Sequence, residues 1–191
     1  MNEIIGSATE KGLMMAFILE SQATQKYQWY AKVAIKEGYQ QIGAIFLETA
    51  EQKKSHCKTL FRLLEGCEVE VTATLIAEPI GNTLDCLKDA LTAENEQETK
   101  YYSAFENKAW EEGFKKAATK LKLFRQIKNF YASRFAKLVA NIENVEVFIR
   151  KKKVKWICRK CGLIYESERA LKNCPGCEHP QAYFEILSEN Y

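Results

Sequence analysis

From Thr9 to about Ile142 the apolar residues recur at intervals of three and four, and the one proline in that stretch is Pro79. That is the period of helices packed along one side. A start signal stands in "SATE", where Ser7 and Glu10 have the S-x-x-E spacing of a capping box, so a first helix is expected to open near Ala8. Gly38 and Gly66 mark expected ends of the first and second helices, Gly81 with Asn82 the start of a third, and Gly113 the break before a fourth. Four helices of roughly 25 to 30 residues follow from these marks.

The two halves of this region resemble each other. Laid from Glu20, "ESQATQKYQWYAKVAIKEGYQQI" matches "ENEQETKYYSAFENKAWEEGFKKA" from Glu94 within one residue, at the opening Glu, a Lys-Tyr and a closing Glu-Gly-aromatic. Each is followed by Lys-x-x-(His or Tyr), with Lys53 lying 33 residues after Glu20 and Lys128 lying 34 after Glu94. Two copies of a helical hairpin make a four-helix bundle.

Polar residues interrupt the apolar stripes at matched places. In the second helix the stripe runs Ile42, Phe46, Thr49, Lys53, His56, Leu60 and Leu63; in the fourth it runs Ala117, Leu121, Phe124, Lys128, Tyr131, Phe135 and Leu138. Glu20 lies between Leu13, Phe17 and Tyr27, and Glu94 between Leu87, Leu91 and Tyr101. A single lysine on such a stripe ordinarily snorkels to the rim with its stem buried. Four charges at matched positions of two repeats point instead to a shared polar centre.

Composition narrows the class. A chain of 191 residues, 47% of them hydrophobic, can bury a large core and a second small one. No apolar run reaches the roughly 20 residues of a spanning helix. The start "MNEIIGSATEKG" lacks the basic-then-apolar order of a secretory signal, so a cytoplasmic protein with no membrane contact is expected. The net charge of +3 says little about partners. The basic run "RKKKVK", Arg150 to Lys155, reads first as a solvated linker, and less readily as a docking patch for an acidic redox partner or nucleic acid. Cys57, Cys67 and Cys86 are scattered and read as small apolar residues.

The other four cysteines form the strongest motif. Cys158-x-x-Cys161 and Cys174-x-x-Cys177 are separated by twelve residues, so four thiolates can converge on one ion while amides near Gly162 and Gly176 donate to sulfur. This spacing alone fits a zinc ribbon or an iron site, and a pair of disulfides is the third option. His179 follows the last cysteine by two residues and is expected at the surface, since four thiolates already fill a tetrahedron.

Di-iron carboxylate bundles carry an inward Glu on two helices and Glu-x-x-His on the other two. Here the order is Glu20, Lys53-x-x-His56, Glu94 and Lys128-x-x-Tyr131. With "FILESQA", "IFLETAEQKKSH", "KEGYQQI", "EEGF", "CRKCG" and "CPGC", the chain resembles the rubrerythrin family over essentially its whole length. The resemblance implies a mainly α protein: a ferritin-like four-helix bundle over residues 1–149, a basic linker over 150–155, and a rubredoxin-like metal-binding β domain over 156–191. It further implies iron on Cys158, Cys161, Cys174 and Cys177, and a family of peroxide-reducing di-iron oxidoreductases linked to oxidative stress. In that family the rubredoxin-like iron passes electrons to a di-iron site, commonly the other subunit's in a head-to-tail dimer.

Carried over by position, the family's di-iron ligands fall on Glu20, Lys53, His56, Glu94, Gln97, Lys128 and Tyr131. The family has Glu at the positions of Lys53, Gln97 and Lys128, and His at Tyr131. An ammonium has three donors and no lone pair, so it cannot ligate iron. Two lysines would instead cancel two buried glutamates, with Gln97 and Tyr131 satisfying remaining donors and acceptors. The expected function is electron transfer by one Fe(Cys)4 centre on a bundle without a di-iron centre. Its partners would be a redox protein and a second copy or a related rubrerythrin, with no nucleic acid. The alternatives are a peroxidase with a remodelled metal site, a zinc-stabilised binding module, and a tyrosine-radical protein resembling ribonucleotide reductase subunits that carry lysine at ligand positions.

Overall fold

The structure is a computed structural model that describes residues 4–66 and 68–190; Cys67 lies outside them. The chain folds into helices α1 (Ala8–Lys36), α2 (Gln40–Leu63), α3 (Thr83–Glu96), α4 (Ser103–Glu111) and α5 (Lys115–Glu143), then strands β1 (Ile149–Cys158), β2 (Ile164–Arg169) and β3 (Phe184–Ile186). A π-helical segment, Gln97–Tyr102, joins α3 to α4 without leaving helical backbone, so these three pieces are one rod and the bundle has four. None of the described helices is long and apolar enough to cross a membrane.

Each pair of helices is an antiparallel hairpin, and an extended, exposed crossover through residues 68–82 joins the two pairs. Short turns and one long crossover are the connectivity of a ferritin-like bundle. The turns sit where the glycines were expected, with Gly38 at φ +88 and Gly113 at φ +84. At Gly43 a Cβ would come within 2.6 Å of Ile35 Cγ1, so the close approach of α1 and α2 needs glycine.

Caps fix the helix starts. The Ser7 hydroxyl accepts from Glu10 N–H, while the Glu10 carboxylate accepts from Gly6 N–H instead of closing back on Ser7. Asn82 and Asp85 form a full reciprocal box at α3. Two further carboxylates bridge the hairpins. Glu37, at the end of α1, accepts from the amide and hydroxyl of Thr83 at the start of α3. Glu112, at the end of α4, accepts from the amide and hydroxyl of Thr9 at the start of α1.

All seven stripe residues of α2 and all seven of α5 are buried, as the periodicity requires. They build two apolar clusters. One holds Tyr27, Tyr30, Phe46, Leu87 and Phe135; the other holds Leu13, Leu60, Tyr102 and Leu121. Along every rod the charged positions fall between the two.

The tail is a three-stranded antiparallel sheet in the order β2-β1-β3. Residues 150–155, expected as a linker, lie inside β1. Val154, Trp156 and Cys158 alternate toward the small core, with exposed Lys155 and half-buried Ile157 between them, and a register irregularity separates the pairs Ile149↔Arg169 and Val154↔Ser167. Trp156 is fully buried and donates its indole N–H to Ser167 O at 3.0 Å. The sheet touches the bundle beside the α1–α2 turn, where Tyr39 stacks on Phe148 with ring centroids 6.2 Å apart.

Candidate metal centre and the charged core

Two constellations stand out, one in each part of the molecule. In the tail, the thiols of Cys158, Cys161, Cys174 and Cys177 lie within 4.8 Å of one another. The Cys158–Cys177 and Cys161–Cys174 sulfurs are 3.8 and 3.6 Å apart. With metal–sulfur bonds of about 2.3 Å, a tetrahedron has edges of about 3.8 Å, so the sulfurs stand where a four-thiolate ion needs them. They are too far apart for disulfides, which need about 2.05 Å.

Two knuckles create this convergence. Cys158–Gly162 and Cys174–Glu178 each close with an N–H to carbonyl bond of 2.8 Å, and Gly162 takes φ +76 to complete its turn. The amides that follow then point at sulfur. Leu163 N–H donates to Cys161, Gly176 and Cys177 N–H to Cys174, and His179 N–H to Cys177. Burial opposes ionisation of Cys174, yet these amides and the Cys161 thiol hold it down at about 7. The residues fit a borderline metal that prefers thiolate. His179 is outside the cluster, half-buried with its ring against Tyr183 and its Nδ1 2.9 Å from Cys177 O. It is therefore neither a ligand nor a free surface residue.

In the bundle, Glu20, Lys53, His56, Glu94, Gln97 and Lys128 meet between the two apolar clusters. Lys53 and Lys128 are 0% and 1% exposed, so neither snorkels. Lys53 Nζ lies 2.7 Å from Glu94 Oε1 and 3.4 Å from Glu20 Oε2. Lys128 Nζ contacts Glu20 Oε1, lies 3.5 Å from Glu94 Oε2 and donates to Gln97 Oε1 at 2.7 Å. Three acceptors around one nitrogen match an ammonium, which has three donors. His56 Nδ1 sits 3.2 Å from Glu20 Oε2, and its ring is held against Phe124 at 4.5 Å.

Every oxygen of the two carboxylates therefore faces a donor. Burial alone would raise both carboxyl pKa values, but Lys128 and Lys53 beside Glu20, and Lys53 and Lys128 beside Glu94, hold them below the usual range. Burial also acts against the Lys53 ammonium, yet Glu20 and Glu94 push it well above the usual lysine range. Lys128 ends below that range, because burial, the largest influence, joined by the neighbouring Lys53 charge, outweighs the pull of Glu20 and Glu94.

Two tyrosines complete the centre, and the sequence pattern placed one of them wrongly. Tyr27 donates to Glu94 Oε1 at 2.5 Å, and Tyr102 donates to Glu20 Oε1 at 2.8 Å. Tyr101, expected on the stripe, is 39% exposed. The π segment adds one residue to the rod, which turns Tyr101 out and Tyr102 in. The signal was the 34-residue interval in the second repeat against 33 in the first. Tyr131 does not reach the carboxylates either: its hydroxyl donates to Gln52 Oε1 at 3.0 Å.

Comparison with known proteins agrees with both parts. The rubrerythrin family matches residues 11–139, and its rubredoxin-like domain matches residues 156–185. Rubrerythrin of Porphyromonas gingivalis is 46% identical over 192 residues, spanning 100% of this chain and 96% of that protein. Rubrerythrin-1 of Clostridium acetobutylicum is 43% identical over 195 residues, spanning all of both. Among solved structures, nigerythrin in its fully reduced, all-ferrous state superposes with a TM-score of 0.64 at 26% identity, covering 97% of this chain and 92% of that one. With a ferritin-like bundle, a four-cysteine rubredoxin-like tail and relatives matched from end to end, the chain belongs to the rubrerythrin family.

Proposed function

We propose that this protein is a one-electron carrier whose redox centre is an iron ion held by Cys158, Cys161, Cys174 and Cys177, and that its bundle holds ion pairs in place of a di-iron centre. The observation that carries this reading is the position of Lys53 and Lys128. Both ammonium groups donate to the glutamate oxygens that a pair of irons would take. Only two carboxylates and one imidazole remain as donors, which do not fit two irons. Buried carboxylates without a counter-charge cost several kcal/mol each, and the two ammonium groups remove that cost.

When bound, the thiolate-held iron supplies exchange of a single electron between its ferric and ferrous forms. Four sulfurs leave no position for a substrate, so the chain's own contribution is to hold the ligands still and donate amides to sulfur. The acceptor then lies outside this bundle, on a redox protein or on an intact relative paired with this chain. A second copy of the chain would supply a dimer but no di-iron acceptor.

Metal analysis together with the visible spectrum of the purified protein tests this. About one iron per chain, with a thiolate-to-iron band that bleaches on reduction, is the expected result. Close to three irons per chain would instead give a peroxidase with a remodelled site, and one zinc in a colourless protein a structural module. The cation-replacement argument has its own arm. Lys53→Glu with Lys128→Glu should add iron binding in the bundle, and a folded double variant that takes up no further iron would remove its support.

A further inference from the structure

The solvent-facing edge of the cysteine cluster is net cationic, with Lys160 and Lys172 exposed against one exposed carboxylate, Glu178. Of the four residues, Cys161 alone is exposed; Cys158 and Cys174 are buried and Cys177 is half-buried. Lys160 adjoins Cys161, and Lys172 lies two residues before Cys174, whose sulfur is 3.6 Å from that of Cys161. Both lysines are exposed, and neither joins an ion pair among the described residues. At the two ends of the segment that joins the knuckles, Ile164 and Leu171 add apolar surface, 50% and 38% exposed, while the charged Glu166, Glu168 and Arg169 are exposed between them. The charge is also unevenly shared along the chain. Residues 149–190 hold nine Lys and Arg against five Glu, while residues 1–148 hold nineteen against twenty acidic residues.

We propose that this face is the electron exit and that it docks an acidic protein carrying its own one-electron centre. Exposed apolar side chains set among charged ones are the composition of a transient interface. A cationic rim steers an anionic partner onto the one exposed sulfur and loses that effect as salt screens it. A nucleic acid would gain its affinity from phosphates along the lysines of β1 and has no use for an exposed ligand sulfur. This inference rests on the electron-transfer reading above.

The test uses the full-length, iron-loaded protein, reduced and then mixed with small oxidants of opposite charge. One electron leaves the ferrous centre and reduces either hexacyanoferrate(III), an anion, or tris(phenanthroline)cobalt(III), a cation; no bond is made or broken in the protein. Oxidation by the anion should slow as salt rises, and oxidation by the cation should not. Lys160→Glu with Lys172→Glu should lower the anion's rate at low salt by about tenfold or more while the visible spectrum stays unchanged. Polyglutamate, as the acidic polypeptide probe, should compete with the anion. Equal salt dependence for both oxidants, an unaffected rate in the double variant, or no competition by polyglutamate would overturn the docking face. A single-stranded oligonucleotide that binds the tail without slowing either oxidant, with polyglutamate inactive, would replace the protein partner by a nucleic acid. Protein that contains no oxidisable iron would sink the electron-transfer reading itself and is told apart at the first spectrum.

Discussion

Lys53 shows how far one residue can be read before its neighbours are known. Its place in the α2 stripe was visible in the spacing from Phe46 to Leu60, and so was its likeness to Lys128. The partners were only partly visible, because a 3.6-residue period tells which face a side chain takes and not which oxygen it meets. The carboxylates set the pH behaviour. Glu20 and Glu94 have folded pKa values below their unfolded ones. They therefore contribute stability above the unfolded carboxylate range of about 4.3, and this is lost as pH falls through the lower folded values. Lys53, shifted upward, contributes fully below about 10.4 and loses its share only as pH rises beyond that. Urea unfolding of the wild type should thus hold level near neutrality and fall on acidification. Lys53→Met should cost about 3–5 kcal/mol at neutral pH, because it leaves a buried charge unpaired, and Lys53→Met with Glu94→Gln should cost less than the single change.

At the scale of the element, the π segment carries most of what the pattern could not show. One extra residue in Gln97–Tyr102 lets the second hairpin keep its Glu94 and its Glu-Gly turn in step with the first while exchanging the inward tyrosine. A regular helical period applied across that segment selects Tyr101, and it fails for a physical reason: the rod is not regular there. Tyr102→Phe should cost about 1–3 kcal/mol, since a buried Glu20 oxygen loses a donor, whereas Tyr101→Phe should stay within about 0.5 kcal/mol; thermal unfolding of the two variants distinguishes them. Strand β1 was missed for a different reason. Its lysines dominate the composition of residues 150–155, although Val154, Trp156 and Cys158 already alternate with period two.

For the whole molecule, the cysteine spacing and the repeated hairpin already disclose both parts, because ligand spacing and internal duplication are properties of the chain itself. The relation between the parts was not disclosed, since the contact of Tyr39 with Phe148 has no sequence signature. The tail is too small to hold a sheet on apolar burial alone, with Trp156, Phe184, Ala170 and two cysteines at its centre. Cys174→Ala with Cys177→Ala should therefore unfold the tail and leave the bundle's cooperative transition in place. Trp156 emission should shift to the red as that indole meets water, while helical circular dichroism persists; joint loss of both signals would mean that the bundle needs the tail.

The crossed caps give the bundle a property that neither half has. Glu37 from the first hairpin holds the opening of the third rod, and Glu112 from the second hairpin holds the opening of the first. Each copy of the duplicated unit thus begins on a group supplied by the other, like two links closed through each other. Shedding either copy would leave the survivor its own cap, Ser7 or the Asn82–Asp85 box, but would remove the amide and hydroxyl contacts by which each hairpin fixes where the other begins.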